Sequence, residues 1–450
     1  MMSVISQLVW LAAVFLAAVA LPAQAQLPIQ HWQTSAGARV YFVQNRDLPM
    51  LDLSVEFPAG AGYDAPAKSG VASMANRMMQ LGADGMDEDE IARRLADVGA
   101  QFGGRFSTDH AGVSVRTLVS ERERREALDI LARVLRRPEF PQAVLEREKA
   151  RLIGSLREAD TRPDTIASLT FYRLVYGEHP YALRASGEVA TVEKITREDL
   201  VAFHQRYYAA QHAVVAMIGD VSRAEAEAIA EAVTRGLPQA SGAEPALAPV
   251  GELAAGAVRV ISHPATQSHI MIGAPGITRN DPDYFPLFVG NYVLGGGGFV
   301  SRITEEVRQK RGLAYSAYSY FSPLKERGPF LIGMQTQRDQ AQGALKVVNE
   351  LLRDFLARGP TEAELKSAKQ NIIGGFPLRI DSNAKIHGYL ALIGGYRLPL
   401  TYLDDFVGNV ERVTVQQVRD AFARRIHPDR MVTVVVGADT ERVAGAAPRE

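Results

Sequence analysis

Residues 192–219, VEKITREDLVAFHQRYYAAQHAVVAMIG, lie on residues 410–437, VERVTVQQVRDAFARRIHPDRMVTVVVG, without a gap. Each copy reads as a Thr-capped helix, a short turn and a buried strand closing on Gly. Upstream, residues 141–156 (PQAVLEREKARLIGSL) and 361–376 (TEAELKSAKQNIIGGF) share Ala, Leu, Lys, Ile and Gly in register. Two matched blocks in the same order make the chain a tandem duplication, so any fold proposed for it must be built twice. At 450 residues it is also too long for one ordinary core.

Each half repeats one outline. Strands come first (39–44 and 51–57; 258–262 and 268–274), then a helix, helical hairpins and a last strand (213–218; 431–436). This predicts an α+β fold: two homologous α/β-sandwich halves, each a mainly antiparallel sheet with helices packed on one face. The halves fall at 26–236 and 257–450. Residues 237–256, LPQASGAEPALAPVGELAAG, read as the linker because Ala, Gly and Pro dominate them.

Residues 8–21 are an uninterrupted apolar run followed by Ala23-Gln24-Ala25, which reads as a secretory signal peptide over 1–25. The segment before it has no Lys or Arg, and a membrane anchor is the competing reading. Cleavage gives a periplasmic or secreted chain with no stable membrane span. Fifty basic against 51 acidic residues leave no excess for nucleic acid. With no cysteine there is no thiolate site and no Cys nucleophile.

Candidate chemistry sits in two stretches. Residues 70–84, GVASMANRMMQLGAD, form an apolar helix start interrupted by Ser73, Asn76 and Arg77, whose spacing puts them on one face. Residues 294–321, LGGGGFVSRITEEVRQKRGLAYSAYSYF, predict a glycine turn, a helix from about 300 to 310 ended by Gly312, and a strand with Leu313, Tyr315, Ala317 and Ser319 on one face. Arg308 in the last helical turn and Tyr315 early in the strand then converge. The pair can donate to a peptide carbonyl and stabilise charge developing on it. The tetraglycine lacks the Gly-Lys-Ser/Thr ending of a phosphate loop. No two of the nine His are three or four residues apart, and no G-x-S-x-G elbow is present. Residues 103–108 read as an edge strand or as a plain hairpin strand.

The duplicated outline, the 294–321 block and the position of GVASMANRMM resemble the pitrilysin/insulinase-type metallopeptidase family. The resemblance covers nearly the whole mature chain. It implies that the helix at 70–79 stands where active members carry the zinc motif H-x-x-E-H, with a further ligand Glu on a later helix. Those positions fall here on Ser73, Asn76 and Arg77, and the distal one on or near Ser155. Ser and neutral Asn are poor zinc ligands, Asn cannot take a proton from water, and Arg77 sets a fixed charge where a dication belongs. Arg77 could instead pair with an acidic group or stand in for the missing ion. The chain therefore has no metal and no catalytic centre of its own by this reading, and zinc is expected in a partner. Arg308 and Tyr315 match the family's substrate-holding pair, and an edge such as 103–108 is where the family adds substrate strands.

The implied function is that of a non-catalytic, substrate-binding subunit. It would pair with a homologous H-x-x-E-H peptidase chain, enclose a chamber, and present Arg308 and Tyr315 to peptides cut at the partner's zinc. Two rivals stand beside it: a metal-free scaffold or peptide-binding protein, and a self-sufficient hydrolase with an unrecognised site.

Overall fold

The computed structural model describes residues 28–437, so the expected signal segment lies outside the described residues. Apart from a two-residue hairpin pair (Gly82–Ala83 with Met86–Asp87), the strands are β1 (Gln30–Gln33), β2 (Arg39–Gln44), β3 (Met50–Phe57), β4 (Gln101–Phe106), β5 (Ala111–Leu118) and β6 (Val214–Gly219) in the first half. The second half has β7 (Ala257–Ile261), β8 (Gln267–Pro275), β9 (Ala314–Phe321), β10 (Pro329–Gln337) and β11 (Val432–Val436). The first sheet runs β1-β2-β6-β3-β5-β4 and the second β7-β11-β8-β10-β9. Five strands therefore follow one order in both halves. In each, the first and last of these five strands (β2 and β6; β7 and β11) pair in parallel and the other pairings are antiparallel. The duplication seen in sequence is a duplication of topology, with β1 as an addition to the first copy.

The principal helices are α1 (Val71–Met78), α2 (Glu88–Asp97), α3 (Glu121–Arg136), α4 (Gln142–Ala159), α5 (Pro163–Tyr176), α6 (Arg197–Tyr207) and α7 (Arg223–Thr234). In the second half they are α8 (Tyr284–Asn291), α9 (Ala341–Arg358), α10 (Glu362–Gly375), α11 (Asn383–Tyr396), α12 (Tyr402–Arg412) and α13 (Val415–Arg425). The matched helices α6 and α13 start with matched capping boxes. Thr196 and Asp199 cap one; Thr414 and Gln417 cap the other.

Each sheet packs its own helices on one face, as the pattern predicts. The other face is covered by a helix from the opposite half. On β6, Val215 and Met217 join the first half's core, while Val214, Ala216 and Ile218 pack with Ile386, Leu390 and Ile393 of α11. Reciprocally, Val432, Val434 and Val436 of β11 pack with Phe171 and Val175 of α5. This is why the last strand of each half reads as a continuous apolar run: both faces are buried. Each such side chain contributes about 1.5–3 kcal/mol when fully buried, so the halves are stabilised by exchange rather than by simple contact.

Polar ties fix the angle between them. Asp109, fully buried on the β4–β5 hairpin, accepts from the Tyr181 hydroxyl (2.6 Å), the Tyr396 hydroxyl (2.7 Å) and the Lys325 amide (2.8 Å). Burial pushes both phenols up, so they remain donors. Between the end of α7 at Thr234 and the start of β7 at Ala257 there is no helix or strand. It is nonetheless pinned on both sides: Ala210 donates to Pro238 O, and Lys325 and Arg397 donate to Glu244 at 2.7 and 2.6 Å. No helix of the described residues is long and apolar enough to cross a membrane.

Candidate functional site

In the first half α1 begins against a buried carboxyl. Asp64 accepts the Gly70 and Ala72 amides at 2.7 and 2.9 Å, in place of a side-chain cap on Gly70 itself. Burial pushes the Asp64 carboxyl up to about 7 despite those two bonds. Along α1, Ser73 is half-buried, Asn76 buried and Arg77 exposed.

Each of the last two is occupied. The Asn76 Nδ2 donates to Gly112 O (2.8 Å) and to the Tyr208 hydroxyl (3.4 Å). The edge strand β4 lies directly against this amide. A Cβ at Gly104 would fall 2.5 Å from Gln80 Nε2 and 2.6 Å from Asn76 Oδ1, so a larger residue there would displace these two side-chain amides. Arg77 Nε lies 3.4 Å from Glu148 Oε2 on α4, a carboxylate only 8% exposed. Arg147 and Arg151 reach the same carboxylate at 3.1 and 2.9 Å, and Arg147 also holds both oxygens of Glu88 at 2.5 Å. Three guanidiniums thus share two carboxylates, a field that favours anions over a dication.

Arg77 does pair with an acidic group, which the sequence left open. Glu148 was not singled out by sequence, although it lies seven residues before Ser155, two turns along one helix face. Ser155 itself is exposed. Among the described residues no group of three or more His, Asp or Glu is arranged to hold a metal ion.

In the second half, α8 passes into a π-helical turn (Tyr292–Gly296) and a short 3-10 turn (Gly298–Val300). Ser301 is extended there, so the helix starts just after it and becomes π-helical over Thr304–Lys310. Gly312, at φ +62°, ends it as expected. Such π segments are rare and concentrate at functional sites. Three contacts hold the region down. Arg302 grips Glu364 with two bonds of 2.7 Å, the Thr304 hydroxyl donates to Ala317 O, and Asn291 exchanges two hydrogen bonds with Ser319.

Arg308 and Tyr315 meet, as their sequence positions predict. The Arg308 guanidinium carbon stands 4.7 Å from the Tyr315 ring centroid and 4.8 Å from that of Phe299. The contact is a cation–π stack. One expectation is corrected. Tyr315 does not share a face with Ala317 and Ser319, which are buried while Tyr315 is 77% exposed. A β-bulge between Ala314 and Ser316 inserts one residue against β10 and reverses the alternation at that point. Tyr315 is thereby turned out with Tyr318 and Tyr320. Both β4, which covers most of 103–108, and its counterpart β9 are edge strands.

Two family profiles match the chain: insulinase (peptidase family M16) over residues 39–186, and peptidase M16 inactive domain over residues 194–372. The structure resembles a crystal structure of a peptidase M16 inactive domain from Pseudomonas fluorescens. The two are 40% identical with a TM-score of 0.88, covering 92% of this chain and 98% of that one. The sequence is 25% identical over 388 residues to the non-peptidase homolog YmxG of Helicobacter pylori, covering 85% of this chain and 87% of that protein. It is also 25% identical over 390 residues to an uncharacterized zinc protease of Streptomyces coelicolor, covering 84% and 83% respectively.

Proposed function

This chain belongs to the peptidase M16 (insulinase) family, and from that premise we propose that it is the substrate-binding, non-catalytic subunit of a two-chain zinc peptidase. One observation carries the reading: the two candidate sites have opposite fates. At the metal positions Asn76 is tied to the sheet and Arg77 to Glu148, whereas Arg308 and Tyr315 stand together at the surface. The guanidinium and phenol hold a peptide's carbonyls and stabilise charge on the one being cut. The cleavage chemistry belongs to a homologous partner whose H-x-x-E-H helix holds the zinc. The two chains meet in the periplasm or outside the cell and enclose the peptide in a chamber.

The test is co-expression with such a partner, most simply one encoded by a neighbouring gene. A stable complex with zinc in the partner alone and zinc-dependent peptide cleavage is expected. Neither complex nor cleavage sinks the proposal. The name of the Helicobacter relative, a non-peptidase homolog, favours a second reading as a metal-free scaffold or peptide binder. On that reading a complex forms but cleaves no faster than its components.

A further inference from the structure

The linker, the β9–β10 hairpin and the end of α13 meet at a cleft that neither candidate site uses. The cleft has a volume of about 350 Å³, its open mouth included, and its lining includes Glu252, Arg327, Arg425, His427 and Arg430. Arg327 is presented by the hairpin tip, which the first half holds in place: the Tyr176 hydroxyl of α5 donates to Arg327 O at 3.2 Å. Arg425 closes α13, and His427 and Arg430 follow before β11. Glu252 comes from the linker, between Val250 and Leu253, which both pack into the apolar cluster around Phe171 and Val434.

The charges around the cleft do not balance. Arg425 spans Asp281 and Asp283 at 2.9 and 3.0 Å, and Arg424 holds Asp283 at 2.6 Å, so two guanidiniums meet two carboxylates. Arg327 and Arg430 instead share the single carboxylate of Glu252, at 3.5 and 3.2 Å. Close charge-assisted bonds run about 2.7–2.9 Å. At those longer distances, and 49% exposed, Glu252 is loosely seated, and an exposed ion pair adds little to stability. With Glu252 in place the four guanidiniums exceed their carboxylates by one charge. With Glu252 turned out they exceed them by two.

We propose that this cleft binds a tetrahedral dianion of the phosphate class, and that Glu252 is the internal carboxylate it displaces. Two guanidiniums converging from different elements suit such an ion, since each planar fork donates two N–H groups to separate oxygens. An incoming carboxylate would only replace like with like. A dianion cancels both charges that Glu252 leaves behind. The exchange releases residues 251–255 of the linker, while the Gly256 amide stays tied to Asp429 O at 3.1 Å. The cleft is built from this chain alone and needs neither a partner nor zinc.

Calorimetric titration of the purified full chain at low ionic strength tests this, with inorganic phosphate as the probe and chloride at matched ionic strength as the control. One-to-one binding of phosphate is expected. Glu252→Gln should tighten it about tenfold, the worth of a charged hydrogen bond that no longer competes. Added to Glu252→Gln, Arg327→Gln or Arg430→Gln should each weaken binding about tenfold or more. Hydrogen exchange over residues 251–255 should rise when the wild type binds phosphate. Phenyl phosphate separates two sources of the group. Binding as tight as that of phosphate means the cleft takes the phosphate of a larger ligand, and weaker binding means it takes the free ion; either supports the proposal. Thermal melts guard against misfolding: phosphate should raise the midpoint of Glu252→Gln but not of the variant that also lacks both arginines. No binding by wild type and Glu252→Gln alike, equal affinity of the two, binding that survives loss of both arginines, unchanged exchange over 251–255, or an equal response to chloride overturns it.

Discussion

The two halves share a five-strand sheet order and diverge in what they do with their polar groups. Around α1, Asn76, Arg77 and Glu148 are all consumed by neighbours within the first half. Around β9, Arg308 rests on two rings and Tyr315 and Phe299 are 77% and 64% exposed. The same scaffold thus pairs these polar groups internally in the first half and leaves an Arg–aromatic cluster facing outward in the second. The difference separates roles: polar side chains that satisfy one another stabilise the fold, and those left facing outward remain available to a ligand.

That contrast yields a graded set of expectations. The largest effect is functional and lies in the second half. Arg308→Ala in a reconstituted complex should lower kcat/KM about 10²-fold, while the unfolding midpoint moves little, as expected for an exposed stack. An unchanged kcat/KM would remove Arg308 from the site. In the first half the pattern inverts. Asn76→Ala strips Gly112 O and the Tyr208 hydroxyl of their shared donor and should cost about 1–3 kcal/mol in urea unfolding, with the folded fraction of the complex cleaving at the wild-type rate. A large loss of kcat without loss of stability would mean that α1 still serves chemistry.

The smallest effect is a pair of opposite pH dependences. The Asp64 carboxyl sits at about 7 through burial, above its usual 3.8. Its contribution is therefore fully present below about 3.8 and is lost as pH rises through about 7. Glu364 is held down at about 2 by the Arg302 fork, below its usual 4.5. Its contribution is present above 4.5 and is lost as pH falls through about 2. Melting temperatures across pH should show Asp64→Asn flattening the fall between about 3.8 and about 7, and Arg302→Gln flattening the acid limb. If both variants keep the wild-type profile, neither carboxyl is set by the contacts described.

Much of this was legible along the chain. Thr196 and Thr414 marked the matched helix starts because a capping hydroxyl must precede its helix by fixed steps. Strand ends at 39–44 and 214–219 came within a residue of the reading from apolar runs. Arg308 and Tyr315 could be brought together because only a helix end and one glycine separate them. The bulge at Tyr315 was not legible, since it depends on how β9 registers against Thr336 and Gln335 of β10. Nor was Glu148, which meets Arg77 only when α4 is laid beside α1. Asp109 gathers Tyr181, Lys325 and Tyr396 from three distant stretches, and nothing local announces it.

By itself the sequence determined the duplication, the elements, and the polar stripe of Ser73, Asn76 and Arg77 on one helix face. Those follow from periodicity, caps and side-chain chemistry, which act over a few residues. Only the tertiary structure decided that α5 and α11 cross to cover each other's sheets, and that Arg77 is held by Glu148 while Arg308 is left free. An amphipathic helix specifies that one face be buried but not against which sheet, and a charge specifies a partner's sign but not its identity. Those choices are made by long-range packing, where the two halves meet.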